Sequence, residues 1–402
     1  HDALPIFGRI KNSFLSTFTV VKALLVMYHS LFESLCMVPD PRIERKKIYP
    51  LDFLLLIVFL STLSGNTSWY EIEDYAQEYE EELKSLYEML TGHQLTHTMP
   101  SHDTLNRSIS LLDVEAFEGA YKRWIEGFIS ATSGKHICID GKTMRGVKKL
   151  SFDTQSHVVS AFSPQDMCSL AQLYIDRKTN EIPAIHQLLD LLDLNGAVVS
   201  IDAIGTQTAI VEQIIDKGGN YVLCVKANQS LSLQEIEAYF CPLFQKHILL
   251  DEQTELSHGR IETRRYESIL NPLEIEANEV LTRRKGLRSI HKVVRKRRDK
   301  KSDKTSEEVA YYISSLTDVS SLKQAIRGHW AIENKLHHCL DVYFGHDASH
   351  KRTRNVAQIM DIIQKINLLI IERLKTNMKS SIPRIQKKPA RMKPQQLITI
   401  QF

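Results

Sequence analysis

The sequence has no paired-cysteine motif, no glycine-rich phosphate loop and no apolar run long enough to cross a bilayer. Its six cysteines are scattered and none stands in a C-x-x-C pair. That excludes a disulfide framework and reads as a reduced, cytosolic protein. Cys138 and Cys224 lie inside apolar runs and read as core residues. Neither G-x-x-x-x-G-K-S/T nor G-x-G-x-x-G occurs, so an ATP-driven mechanism has no support. No Ser-His-Asp or Cys-His arrangement stands out. The longest apolar stretches, at residues 14–28 and 51–63, contain Lys22 and Asp52. Both fall short of the ~20 residues that a spanning helix needs. Tandem repeats are absent. Acidic residues are absent after Glu372, while Lys375, Lys379, Arg384, Lys387, Lys388, Arg391 and Lys393 follow.

What is present is the composition of a globular protein. The chain has 402 residues, 43% hydrophobic and 25% charged, with a net charge of +3. That length calls for two or three domains. Charge is segregated: residues 71–88 are acidic and residues 283–301 strongly basic. Such segregation points to a polyanionic partner. Read alone, the basic run is a solvated loop. His93, His97 and His102 lack cysteine or carboxylate partners at ligand spacing and read as polar loop residues.

Residues 39–130 read as all-helical, with Ser68, Ser101 and Asp113 as N-caps. From Gly134 the pattern changes. His136-Ile137-Cys138-Ile139-Asp140 is a short apolar run, too short for a helix, and reads as a buried strand ending in a carboxylate. Residues 197–202 repeat the pattern and end in Asp202. Residues 157–162, 169–175 and 221–225 are further strands, with helices near 182–192 and 208–217. Three hairpin-type strands before the alternating part predict a mixed sheet. Residues 255–270, 287–294 and 309–315 read as strands of a basic insertion. A capping box at Ser321-Leu322-Lys323-Gln324 then opens a long helix. On it His329, Glu333, His337 and Asp341 recur every four residues and form one polar stripe. Trp330 is expected to be buried beside Glu333, holding it against the sheet. By itself the stripe reads rather as an exposed face with intrahelical pairs.

The order strand-Asp, two strands, helix, strand-Asp, helix, strand, insertion, helix-Glu is that of an RNase H-like core. With it come Ile139-Asp140-Gly141-Lys142-Thr143-Met144-Arg145-Gly146, Asn180-Glu181-Ile182-Pro183-Ala184 and Ile201-Asp202-Ala203-Ile204-Gly205-Thr206-Gln207. Gly218-Gly219-Asn220-Tyr221-Val222-Leu223, Lys226-Ala227-Asn228-Gln229 and His329-Trp330-Ala331-Ile332-Glu333-Asn334-Lys335-Leu336-His337 follow. Together, over about residues 40 to 375, the chain resembles DDE transposases of bacterial insertion sequences, and among them the H-repeat-associated family. His338 and His346 depart from that family's usual Trp and acidic residue.

The resemblance implies an α/β fold: an RNase H-like mixed five-stranded sheet with flanking helices and a β-rich insertion before the last catalytic helix. Its parts are expected at 131–230 (core), 231–315 (insertion) and 316–375 (completion with Glu333). A helical, DNA-end-binding domain is expected at 39–130 and a basic tail at 376–402. Because the chain begins with His, residues 1–38 are expected to be an extension, with Met27 or Met37 as the start. Asp140, Asp202 and Glu333 are implied as catalytic and metal-binding carboxylates. They would hold two Mg²⁺ ions about 3.5–4 Å apart, replaceable by Mn²⁺. Lys142, Arg145, Lys226, Arg295, Arg297 and Arg298 are expected on DNA phosphates, with Trp330, Asn334, His337 and His329 in support. The implied activity is strand cleavage at the element's terminal inverted repeats, then 3′-OH transfer into target DNA, by a homodimer on paired ends. The implied location is the bacterial cytoplasm, at the nucleoid, with no membrane partner. A non-catalytic, transposase-derived DNA-binding protein and an RNase H-like nuclease remain as alternatives.

Overall fold

The computed structural model describes residues 30–127, 129, 132–144, 156–176, 181–257, 259–348 and 354–387. The described residues up to 127 and from 339 onward form one compact unit, and those between form a second.

The first unit is helical. Its helices include Leu51–Leu63, Trp69–Glu78, Glu80–Thr91, His102–Ser110 and Val114–Glu126. From the later part of the chain come most of His338–Phe344 and the helix Arg354–Met378. Every residue of Leu51–Leu63 except Asp52 is buried. A helix apolar on all sides belongs at the centre of its unit. Asp52 accepts hydrogen bonds from the Tyr87 hydroxyl at 3.0 and 3.1 Å. Among the described residues no helix is long and apolar enough to cross a membrane. Ser68 forms a capping box with Glu71, and Ser101 and Asp113 cap their helices through their side chains.

The second unit is built on one sheet of nine strands in the order β3-β2-β1-β4-β5-β9-β8-β7-β6. The strands are β1 His136–Thr143, β2 Ser156–Ser163, β3 Cys168–Asp176, β4 Val198–Ile201 and β5 Asn220–Val225. They continue as β6 Leu249–Ser257, β7 Arg260–Leu270, β8 Ser289–Asp299 and β9 Thr305–Ser314. β1, β4 and β5 are mutually parallel, and the other pairings are antiparallel. The mixed character of the sheet matches the expectation, and the first five strands lie in the order β3-β2-β1-β4-β5.

Three expectations are corrected. The sheet does not stop at five strands: β9 pairs with β5, so the insertion extends the same sheet. The run 255–270 is not one strand but parts of the β6–β7 hairpin. The helix Val319–Ala331 is capped by Asp318, which accepts from the backbone of Ser320 and Ser321, three residues before the expected Ser321. The charged half of β8 looks like a loop because its strand character rests on cross-strand partners. Arg295 pairs Glu308, Lys296 pairs Glu307 and Arg297 pairs Glu262, each opposite it in register. Opposite charges facing across a ladder stabilise it modestly and offset like-charge repulsion along the strand.

The helix Val319–Ala331 lies over this sheet. Its Leu322, Ala325 and Ile326 pack with Val222 of β5, Tyr266 of β7 and Val293 of β8. Burying such side chains is worth roughly 1.5–3 kcal/mol each. This contact anchors the helix that carries Glu333.

Candidate active site at the ends of β1 and β4

β1 and β4 pair in parallel from His136↔Val198 to Ile139↔Ile201. Asp140 and Asp202 are the next residue on each strand, so the two carboxylates leave adjacent strands side by side. β1 itself does not end at Asp140; it runs on to Thr143 against β2 alone. The parting of β1 from β4 opens the sheet at the carboxylates.

Side chains alternate along a strand, so Cys138 and His136 share the face of Asp140, and Ser200 that of Asp202. The helix is clamped to this face. Cys138 Sγ donates to the Gly328 carbonyl at 3.3 Å. A Cβ on Gly328 would sit 2.5 Å from His136 Nδ1, so only glycine allows this approach. Ser200 Oγ lies 2.8 Å from His136 Nε2 and 3.0 Å from His329 Nδ1. Burial, followed by the neighbouring His329, pushes His136 down to about 4. Burial likewise holds His329 below the usual imidazole range, despite Asp202 beside it.

With Gly328 and His329 pinned, the next turn brings in Glu333. That turn is π-helical, Ile332–His337. Such turns are rare and recur at functional sites. Asn334 Nδ2 donates to the Trp330 carbonyl at 2.9 Å, satisfying a carbonyl at the distorted turn. His337, 4% exposed, lies with Nδ1 3.4 Å from Asp140 Oδ2 and 3.3 Å from Glu333 Oε2.

Asp140, Asp202 and Glu333 line one cavity of about 280 Å³, with Lys226, His329 and Trp330 among its walls. Donor atoms of Asp140, Glu333 and His337 lie within 4.8 Å of one another, close enough to share one cation. Asp202 is outside that group, and its carboxylate is held by Lys226 Nζ at 2.8 and 3.0 Å. The electrostatics differ at each carboxylate. Burial pushes Asp140 up to about 6, His337 opposes this, and the charges of Glu333 and Asp202 add to it. Burial also pushes Asp202 upward, but the Lys226 hydrogen bond, the Ala203 backbone N–H and the charges of Lys226 and His329 together outweigh it and leave the group below its usual range. The hydrogen bond with His337, against burial, holds Glu333 low. A buried carboxylate destabilised by two others is a place where bound positive charge is favourable. Hard divalent cations take such oxygens. The residues therefore fit a divalent metal.

The remaining expected residues are placed unevenly. Lys142 is close enough to lower Glu333 electrostatically. Arg145 lies outside the described residues. Arg295 and Arg297 line a neighbouring cavity of about 380 Å³ with Trp330 and Asn334. Arg298, one residue on, pairs with Asp303 at 2.6 Å and is not in that wall. Trp330 is not buried: it is 45% exposed, with the Arg295 guanidinium 5.0 Å from its ring centroid. Helical spacing explains this, because the face clamped to the strands belongs to Gly328 and His329. The His136–Ser200 pair behind Asp202 was not singled out in the sequence. Its signal was a polar residue at alternate positions of two otherwise apolar strands.

Residues 131–370 match the family model described as "Transposase DDE domain", and residues 32–125 match "DDE_Tnp_1-associated". The chain is 37% identical to "Putative transposase YncI" of Escherichia coli O157:H7, across 90% of this chain and 92% of that one. It is 33% identical to "H repeat-associated putative transposase YhhI" of Escherichia coli K12, across 85% and 90%. The resemblance read from the motifs is thus borne out: the chain belongs to the DDE transposase family.

Proposed function

We propose that the protein cleaves DNA at the ends of an insertion sequence and transfers the 3′-OH ends into target DNA, using divalent metal at Asp140, Asp202 and Glu333. The observation that carries this reading is one cavity lined by all three carboxylates, where the parallel strands β1 and β4 part beside the clamped helix. Bound Mg²⁺, or Mn²⁺ in its place, would supply charge stabilisation at the phosphoryl oxygens. The chain's own residues do the rest. Asp140 and Glu333, with His337 between them, keep donor atoms converged before substrate arrives. His329 and Ser200 fix the helix that carries Glu333. Lys226, now on Asp202, is within reach of a phosphate entering the cavity. Lys142, Arg295 and Arg297 supply positive charge beside it, and Arg298 extends that charge along β8. Trp330 and Asn334 border the path along the second cavity.

The helical part at 39–130 is assigned to the element's terminal inverted repeats. A homodimer on paired ends, acting on double-stranded DNA at the nucleoid in the bacterial cytoplasm, completes the reading. The RNase H-like assignment rests on the strand order and the carboxylate positions.

The test uses a labelled terminal repeat with Mg²⁺. Wild-type protein is expected to nick the end and join it to a target plasmid. Asp140→Asn, Asp202→Asn and Glu333→Gln are expected to lose both steps and keep end binding. Binding without cleavage by the wild type would favour a non-catalytic DNA-binding protein. Cleavage indifferent to end sequence, without joining, would favour a nuclease.

A further inference from the structure

A second cluster of ligating side chains lies in the helical unit, outside the carboxylate cavity. Donor atoms of Asp341, His346 and Asp347 fall within 4.8 Å of one another. The backbone builds this proximity. The helix His338–Phe344 ends at Gly345, which takes φ +61°, a left-handed conformation that favours glycine. The chain then folds back, with His346 N–H donating to the Leu340 carbonyl at 3.2 Å and Ala348 N–H to the Gly345 carbonyl at 3.0 Å. The turn returns His346 and Asp347 to the side of Asp341, one helical turn earlier.

His346 is only 5% exposed. Its Nε2 lies 3.2 Å from Asp361 Oδ1, an ion-pair contact without hydrogen-bond geometry, and its Nδ1 likewise has no hydrogen-bond partner. Asp361 is fully buried, and Lys365 Nζ lies 2.9 Å from its other oxygen. A buried imidazole with an unpartnered nitrogen is costly to leave so. An imidazole with a carboxylate behind one nitrogen and a free lone pair on the other is the arrangement metal-ligating histidines adopt. The carboxylate fixes the tautomer and leaves the opposite nitrogen to bind.

We infer that Asp341, His346 and Asp347 form a site for a divalent transition ion, with Zn²⁺ as the species its donors suit. One imidazole and two carboxylates leave a fourth position for water, within the tetrahedral preference of zinc. Asp361 acts behind His346 as a positioning residue. The ion ties the end of helix His338–Phe344, through His346 and Asp361, to the helix Arg354–Met378. This site does not depend on the reading of Asp140, Asp202 and Glu333.

The experiment titrates Zn²⁺ into the full chain carrying Asp140→Asn and Glu333→Gln, so that the other cluster is silenced. One equivalent is expected to bind and to raise the melting temperature, reversibly with EDTA. Co²⁺ in its place is expected to give visible d–d bands. His346→Ala and Asp347→Asn are each expected to abolish that uptake, and Asp361→Asn to weaken it by roughly 10–100-fold. If His346→Ala fails to fold by circular dichroism, uptake by Asp347→Asn decides the matter. Failure of the folded parent to take up Zn²⁺, or equal uptake by the folded Asp347→Asn variant, would overturn the proposal.

Discussion

Lys226 Nζ lies 2.8 Å from one oxygen of Asp202 and 3.0 Å from the other. A carboxylate held this way is a poor metal ligand until the ammonium moves. Lys226→Gln is therefore expected to lower the Mg²⁺ concentration needed for half-maximal cleavage. The same change is expected to weaken DNA binding across sequences and reduce the salt slope by about one. Unchanged metal dependence in the variant would mean that Asp202 is not the group Lys226 withholds.

Gly328 sets the distance between the helix and the strands. Its Cβ position lies 2.5 Å from Nδ1 of a buried His136. His136 is itself held by Ser200, so it has little room to give. Gly328→Ala is expected to lose about 1–3 kcal/mol in urea unfolding, the range of overpacked cores. Cleavage is expected to fall further than stability, because Glu333 rides on the displaced helix. A variant as stable and as active as wild type would refute the clamp.

The first carboxylate pair was legible in the sequence, and the reason is local. Two short apolar runs, each closed by a carboxylate, mark buried strands locally, although β1 runs on past Asp140 to Thr143. Glu333 was legible only through the order of all elements, since its approach depends on the contacts of Gly328 and His329 with strands 190 and 129 residues earlier. The pairing of β9 with β5 was not legible, because edge pairing between distant segments leaves no local pattern. Trp330 misled for a related reason. A large aromatic on an amphipathic helix usually faces the core, but here it meets Arg295 from β8. The π-helical turn at Ile332–His337 leaves no mark in helix propensity or apolar spacing.

Two buried histidines set a pH dependence of stability. His291 is wholly buried between Ser268 and Ser289, and burial pushes it down to about 3. His136 is pushed down to about 4. The unfolded chain takes up these protons near pH 6.5, while the folded chain resists until far lower. Stability is therefore full above about pH 6.5 and falls as pH drops toward the folded values. Urea midpoints between pH 7 and 5 are expected to decline. His291→Gln is expected to flatten the decline, and an unaltered slope would remove His291 as a cause of it.

The Asp361–Lys365 pair is almost wholly inaccessible to water. Lys365→Met leaves Asp361 charged and without its ammonium partner. The expected loss is about 3–5 kcal/mol, as for other buried pairs broken on one side. Replacing both residues at once, by Asp361→Leu with Lys365→Met, is expected to lose less than the single change. A double variant that is worse than the single one would show that the pair is not the source of the effect.

The central claim is that Asp140, Asp202 and Glu333 hold divalent metal together. Crystals of the protein soaked in Mn²⁺ test it most directly through anomalous scattering. Density is expected within coordination distance of all three carboxylates, with Lys226 withdrawn from Asp202. Manganese bound to Asp140, Glu333 and His337 with Lys226 still on Asp202, or absent from the cavity altogether, would contradict it.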